Sequence, residues 1–125
     1  MDAEYVVEPD AYAVRAEISR EMVRIYKDQL GRGPTKVRTD FLGRDTLLVT
    51  LERTLTPAEQ TMVGLGEHTR VRERRLFLQS AAEAEFRSTV ERVMGRTVRG
   101  FVSGIDVTED IASELFYLDP LLAPV

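Results

Sequence analysis

The sequence contains no cysteine and no tryptophan, and His68 is its only histidine. Without cysteine the chain can form neither disulfides nor thiolate metal sites, and it has no thiol nucleophile. A single imidazole excludes a histidine pair on a metal and leaves His68 as the only candidate base for a Ser/His/Asp triad. This histidine lies in the polar segment 66–69, where a solvent-exposed or capping role is the simpler interpretation. We therefore expect a protein that is not an enzyme and that holds no metal or cofactor.

Long apolar runs are also missing, because no stretch approaches the ~20 residues that a membrane-spanning helix requires. The acidic start at residues 1–4 lacks the basic region and the apolar run of a secretory signal. Both absences predict a cytoplasmic protein without direct membrane insertion. The net charge is −4, from 17 basic and 21 acidic residues, and this balance argues against nucleic acid as a partner.

The chain of 125 residues is long enough for one domain with a core and short for two. We expect a flexible acidic leader over residues 1–9, a single α+β domain over 10–119 and an apolar C-terminal tail over 120–125. Helical periodicity predicts a long helix from about residue 10 to residue 30, followed by a glycine and proline stop at 31–34. The apolar positions that carry this periodicity are Val14, Ile18, Met22 and Ile25.

The rest of the chain predicts two strand pairs and two helices. Alternation of polar and apolar residues predicts a hairpin over 36–41 and 47–52, with Gly43 in its turn. A capping box at 56–59 begins a short helix with Pro57 at its first position. A second long helix runs from His68 or Thr69 to Met94, and a last strand pair covers 97–103 and 111–118 around the acidic stretch 104–110. The expected core line of that second helix is Val71, Leu78, Ala82, Phe86, Val90 and Val93, with Phe77, Ala81 and Ala84 alongside.

The two halves of this layout resemble each other. A Gly-Arg pair follows each long helix and precedes each hairpin, as Gly31-Arg32 and as Gly95-Arg96. We interpret the chain as a duplicated αββ unit of the α+β class. It forms a four-stranded antiparallel sheet with two long helices on one face and a short connecting helix. This interpretation predicts that the two Gly-Arg pairs occupy equivalent positions in the fold.

Arginine is concentrated near the start of the second long helix, and arginine clusters bind carboxylates and phosphates. The segment that leads into the first strand carries further basic residues, and both groups together are the candidate binding surface. The alternative is a solvated face in which Glu67 and Glu73 pair with the same arginines. The seven candidates are Arg32, Lys36, Arg38, Arg70, Arg72, Arg74 and Arg75.

Two other segments carry motif-like residues that do not complete a motif. The stretch 31–35 follows a helix and precedes a strand, which is the reverse of a P-loop, and it lacks the Gly-Lys-Ser/Thr ending. The acidic stretch 104–110 lacks the regular oxygen ligands and the central glycine of a calcium loop. We interpret the first as a helix stop and the second as a solvated hairpin tip.

The segments 18–27 and 31–38 resemble the MpsC-like domain family, with further matches at 55–59, at 71–75 and at Gly95-Arg96. The resemblance covers residues 14 to 119, and Gly-Arg-Gly-Pro-Thr at 31–35 is its most specific piece. The family takes its name from a bacterial system linked to sodium translocation, membrane potential and inorganic-carbon uptake. The resemblance implies a soluble accessory component of such a system, and it supplies no catalytic residues.

Three function classes follow from these observations. The first is a non-enzymatic accessory or regulatory protein that binds another protein, namely a membrane sodium or inorganic-carbon transport complex. The second is a small anion- or nucleotide-binding regulator, and the third is an RNA- or ribosome-associated factor, which the isoelectric point of 5.1 opposes. We also expect a homodimer, because a four-stranded sheet leaves exposed edge strands and the tail offers Leu121, Leu122 and Val125.

Overall fold

The computed structural model describes residues 11–120, which form four helices and four strands. The predicted acidic leader, and the predicted tail beyond Pro120, lie outside the described residues. In chain order the elements are α1 (Ala11–Leu30), β1 (Lys36–Phe41), β2 (Thr46–Glu52), α2 (Pro57–Gly64), α3 (His68–Ala81), α4 (Glu83–Met94), β3 (Val98–Asp106) and β4 (Ile111–Leu118).

The strands form one antiparallel sheet in the order β1-β2-β4-β3. Each hairpin contributes one central strand and one edge strand, and the hairpins join where Leu47 pairs with Phe116 and Leu51 with Ala112. The four-stranded antiparallel sheet predicted from the sequence is therefore confirmed. The order also places the two helix–hairpin halves symmetrically about the β2–β4 junction.

The main core lies between the sheet and the helices α1 and α4. The two helices run side by side in opposite directions, since Arg24 on α1 pairs with Glu85 on α4 at 3.4 Å and Arg92 pairs back with Glu17 at 3.4 Å. Burial of these apolar side chains supplies most of the driving force for folding. The buried members of this core are Val14, Ile18, Met22, Ile25, Tyr26, Leu47, Val49, Leu51, Ala82, Phe86, Val90, Val98, Ala112, Phe116 and Leu118.

The prediction of one uninterrupted helix from residue 68 to Met94 is wrong. The helix breaks at Ala82, whose φ of −91° and ψ of 0° separate α3 from α4. No proline or glycine marks this position in the sequence. The packing explains the break, because α3 lies along β3 and α2 whereas α4 turns to follow α1.

The break also changes which residues face the core. Phe77 is 72% exposed, and Ala81 and Ala84 are exposed as well, although the sequence predicted all three beside the core line. The buried face of α3 instead carries Arg75 and Gln79 at a spacing of four from Val71. A polar pair on a buried helix face is the opposite of the apolar stripe on which the prediction relied.

The second hairpin is tighter than predicted. Strand β3 continues to Asp106, so the connection to β4 is the four residues 107–110 rather than the seven residues 104–110. The segment that follows β2 is hydrogen-bonded to this connection. The Asp110 carboxylate accepts hydrogen bonds from the Thr54 N–H at 2.8 Å and from the Leu55 N–H at 3.1 Å.

The equivalence of the two Gly-Arg pairs is confirmed. Gly31 and Gly95 both have a positive φ, of 81° and 66°, and each donates its N–H to the carbonyl four residues earlier at 2.8 Å. Glycine adopts this left-handed conformation without the steric cost of a Cβ atom, so each glycine ends its helix and turns the chain into the following hairpin.

Candidate functional site

Three of the predicted site residues are exposed on α3. Arg70 pairs with Glu67 at 3.3 Å and keeps 74% of its side chain exposed, while Arg74 lies 3.8 Å from Glu59 and is 47% exposed. Arg72 is also exposed, and it forms no ion pair with the rest of the 11–120 region. These arginines are held at the surface by a helix whose other face is fixed in the protein.

Arg75 lies on that other face and is 1% exposed, so it does not belong to the surface. Its Nη1 donates to the Thr54 carbonyl at 3.3 Å and to Glu59 Oε1 at 3.4 Å, and its Nη2 donates to the Thr54 hydroxyl at 2.9 Å. The guanidinium also stands 5.8 Å from the centre of the Tyr26 ring. Arg75 is thus a structural residue that joins α3 to the segment between β2 and α2.

The basic residues near β1 lie apart from α3. Lys36 and Arg38 are on the sheet face opposite the helices, where they pair with Glu52 at 3.6 Å and with Asp40 at 2.7 Å. Arg32 donates to the Leu55 carbonyl at 3.1 Å. The seven predicted residues therefore fall into three sets. Arg70, Arg72 and Arg74 are exposed on α3, and Lys36 and Arg38 lie on the sheet face opposite the helices. Arg32 and Arg75 donate hydrogen bonds to the backbone carbonyls of Leu55 and Thr54.

Sequence reasoning missed the apolar members of the α3 surface. Phe77 follows Arg74 by three positions and Arg70 by seven, which places it on the same exposed face. Leu65, in the turn between α2 and α3, is 74% exposed. The helical phase of Phe77 could have indicated its exposure, because Phe77 does not share the four-residue spacing of the buried residues Val71, Arg75 and Gln79. We call Arg70, Arg74 and Phe77 the α3 surface.

A buried polar cluster under the helices was also missed. The Tyr26 hydroxyl donates to Glu114 Oε2 at 2.5 Å, and the Gln79 side-chain amide donates to the same oxygen at 3.0 Å. Burial raises the pKa of Glu114, and burial together with the nearby carboxylate raises the pKa of Tyr26 well above its ordinary value. The three side chains are no more than 2% exposed, so no substrate can reach them.

An open groove lies between α3 and the end of β3. Its volume is about 280 Å³, and it is lined by His68, Thr69 and Arg72 from α3 and by residues 105–108 from the end of β3 and its turn. An anion site needs donors aimed at one point. Within residues 11–120, the buried side-chain polar atoms that lack a hydrogen-bond partner belong to residues outside this groove, so no such atom points into it.

Residues 11–120 lack two features that would bear on function. That region holds no group of three or more histidine, cysteine, aspartate or glutamate side chains placed to bind a metal ion. It also contains no helix with the length and apolar character needed to cross a membrane.

The comparisons with known proteins agree with the resemblance seen in the sequence. A family model described as Na+-translocating membrane potential-generating system (MpsC) matches residues 12–120. A curated relative, an uncharacterized protein YbcI of Bacillus subtilis strain 168, is 32% identical over 90 residues, which cover 71% of this chain and 72% of the relative. No solved structure matches the fold.

Proposed function

Because this chain belongs to the MpsC family, whose description names a Na+-translocating membrane potential-generating system, we propose that it is a non-catalytic accessory protein of such a system. In this proposal the protein acts on the cytoplasmic side and binds another protein component through the α3 surface. The partner is a protein that presents carboxylates around an apolar contact.

The observation that carries this proposal is the composition of the α3 surface. Arginine and aromatic side chains are the residue types that contribute most to protein–protein binding energy, and they do so when a desolvated aromatic lies at the centre. Phe77, 72% exposed, sits on one helix face with Arg70 and Arg74. An exposed aromatic ring beside two arginines on one helix face is the combination of residue types that binding hot spots favour, and this supports a contact site over a solvated face.

The burial of Glu114 and Tyr26 supports a non-catalytic role. Catalytic acids and bases combine a perturbed pKa with access to a substrate. Here the perturbed carboxyl and phenol, Glu114 and Tyr26, are enclosed in the core. They therefore serve the packing of helices on the sheet.

The test is capture of the membrane component by purified protein. The chain is immobilised, and detergent-solubilised membranes that contain the Na+-translocating subunits are passed over it. We expect retention of those subunits, and we expect the variant Arg70→Glu/Arg74→Glu/Phe77→Ala to reduce retention by about tenfold or more, which is about 1.4 kcal/mol.

The matched control is Arg20→Glu, an exposed arginine on α1. It changes the net charge in the same direction and should leave capture within about twofold. Equal capture by the wild type and by the α3 variant, with unchanged thermal unfolding, would show that this surface is not the contact. Failure of the wild type to retain any subunit of the system would reject the accessory role.

A further inference from the structure

The sheet has a second face, which the helices of residues 11–120 do not cover. Helices α1, α3 and α4 pack on the face that carries Leu47, Val49 and Phe116. The alternate residues of each strand form the opposite face, which we call the open face. Among the residues that form it are Leu48, Leu115 and Val102, and Val102 is 55% exposed.

The register of the sheet arranges the open face in rows that cross all four strands. The first row is Asp40, Leu48, Leu115 and Val102, which are successive partners from β1 to β3, and we call its three apolar members the apolar row. A second row runs Arg38, Thr50, Ser113 and Gly104, and a third runs Lys36, Glu52, Ile111 and Asp106. Long basic side chains therefore occupy the β1 edge, whereas a glycine and an acid occupy the matching positions on β3.

This arrangement is complementary to itself under a two-fold rotation. An axis that lies between two open faces, parallel to the strands, places β1 of one copy over β3 of the other and β2 over β4. Leu48 then packs on Leu115 of the second copy, and Lys36 stands over Asp106 of the second copy. Gly104 has no side chain, and an added Cβ there would meet nothing within 4 Å, so Arg38 of the other copy has room to lie across it.

We propose that the open face is the interface of a homodimer in which two sheets stack face to face. Stacked sheets of this kind pack about 10 Å apart with their strands within about 30° of each other. The occupant is a second copy of this chain because Leu48 and Leu115 pair with each other across the axis and Lys36 of the β1 edge meets Asp106 of the β3 edge. The interface is on the opposite side of the sheet from the α3 surface, so dimerisation and partner binding are independent.

The size of the open face sets the expected affinity. Four strands spaced about 4.8 Å apart and seven residues long give a footprint of about 450 Å² per copy, or about 900 Å² for the pair. Such an area lies at the low end of specific interfaces, so we expect a dissociation constant in the micromolar range.

The first experiment measures molar mass by light scattering on the full chain between about 1 μM and 1 mM. The protomer mass is 14.2 kDa, and the proposal predicts a concentration-dependent rise toward twice that value. Leu115→Asp places a charge in the apolar row and should leave the protein monomeric across the range. Phe77→Asp, on the α3 surface, is the control and should dimerise as the wild type does.

The second experiment tests the orientation of the two copies by charge reversal. Lys36→Glu and Asp106→Lys should each raise the dissociation constant by about tenfold, and the double variant should restore it to within about threefold of the wild type. Within one copy the two residues lie three strand spacings apart, about 14 Å, so their coupling should be absent from monomer stability. Urea unfolding of each variant checks this and accounts for the hydrogen bond from the Glu109 N–H that Asp106 accepts.

Three results would overturn the proposal. The first is a wild type that stays at 14.2 kDa up to 1 mM, and the second is a dimer that survives Leu115→Asp. The third is a double charge reversal that does not recover the dimer, which would mean that β1 and β3 do not face each other. Each of these leaves capture through the α3 surface unaffected, so the two proposals fail separately.

Discussion

Replacement of Arg75 by methionine is the change whose cost the structure defines best. The side chain is 1% exposed and supplies three hydrogen bonds, two to Thr54 and one to Glu59. Methionine has similar length and fills the same space without charge or donors. Arg75→Met therefore removes the donors while the acceptors stay buried.

The magnitude follows from what is left behind. Glu59 is 0% exposed, and after the substitution it keeps the Thr56 N–H at 2.9 Å and the distant Arg74 at 3.8 Å. Breaking one partner of a buried ion pair costs about 3–5 kcal/mol, because a buried charge remains without compensation. That is a large share of the roughly 5–15 kcal/mol by which a domain is stable, and at this size it lowers Tm by about 10–20 °C.

The assay is urea unfolding followed by far-ultraviolet circular dichroism, since the chain lacks tryptophan. Arg72→Met is the matched control on the same helix, and its exposed side chain predicts a change within about 0.5 kcal/mol. A second variant adds Glu59→Gln to Arg75→Met. Glutamine can still accept the Thr56 N–H in the capping box, so removing the stranded charge should recover about 1–2 kcal/mol.

Two outcomes would refute this account of Arg75. A loss below about 1 kcal/mol for Arg75→Met would mean that the buried pair contributes little over an apolar replacement. An additive effect of Glu59→Gln, rather than a recovery, would mean that the cost does not come from an uncompensated carboxylate.

Three other predictions concern stability. Because burial raises the pKa of Glu114, its protonated form stabilises the fold. Wild-type stability should therefore fall, relative to Glu114→Gln, as pH rises from the ordinary value of 4.5 through the raised pKa, and denaturant titrations across that range measure the difference. Asp110→Ala should cost about 2–4 kcal/mol by thermal unfolding, because its carboxylate accepts from two backbone N–H groups and its φ of 55° strains alanine; Asp110→Asn should lose less. Gly95→Ala should cost about 1–2 kcal/mol by the same assay because φ is 66°, whereas Gly64→Ala, inside α2, should stabilise slightly.

The elements and the sheet could be predicted because local chemistry marks them strongly. The capping box at Thr56 and Glu59 is formed as expected, with the two reciprocal hydrogen bonds at 2.9 and 3.2 Å. Gly31 and Gly95 end their helices as expected, since only a residue that tolerates a positive φ fits there.

The predictions that failed depended on contacts far apart in the sequence. Nothing local to Ala82 breaks a helix, and the break follows from two different packing partners for α3 and α4. Arg75 and Gln79 read as surface residues by type, yet Thr54, Glu59 and Glu114 satisfy them inside the protein. A buried polar residue is visible only once its partner is known, and these partners lie 16 to 35 positions away.

Contacts between distant parts of the sequence also decide where the predicted site residues lie. Seven basic residues formed one group by composition. The structure places Lys36 and Arg38 on the sheet face opposite the helices and Arg70, Arg72 and Arg74 on the exposed part of α3, while Arg32 and Arg75 bind backbone carbonyls. Phe77 was predicted beside the core because it is apolar. The buried face of α3 is partly polar, and Phe77 lies on the opposite, exposed face.

The strand order β1-β2-β4-β3 has a consequence for how the chain reaches its native state. Each helix–hairpin half is built from local contacts and can form early, but the central pairing of Thr46–Glu52 with Ile111–Leu118 closes a loop of about 60 residues. We therefore expect the docking of the two halves along that seam to limit the folding rate. A cut in the turn at 65–67 should leave two fragments that reassemble when mixed, with a rate that depends on their concentration.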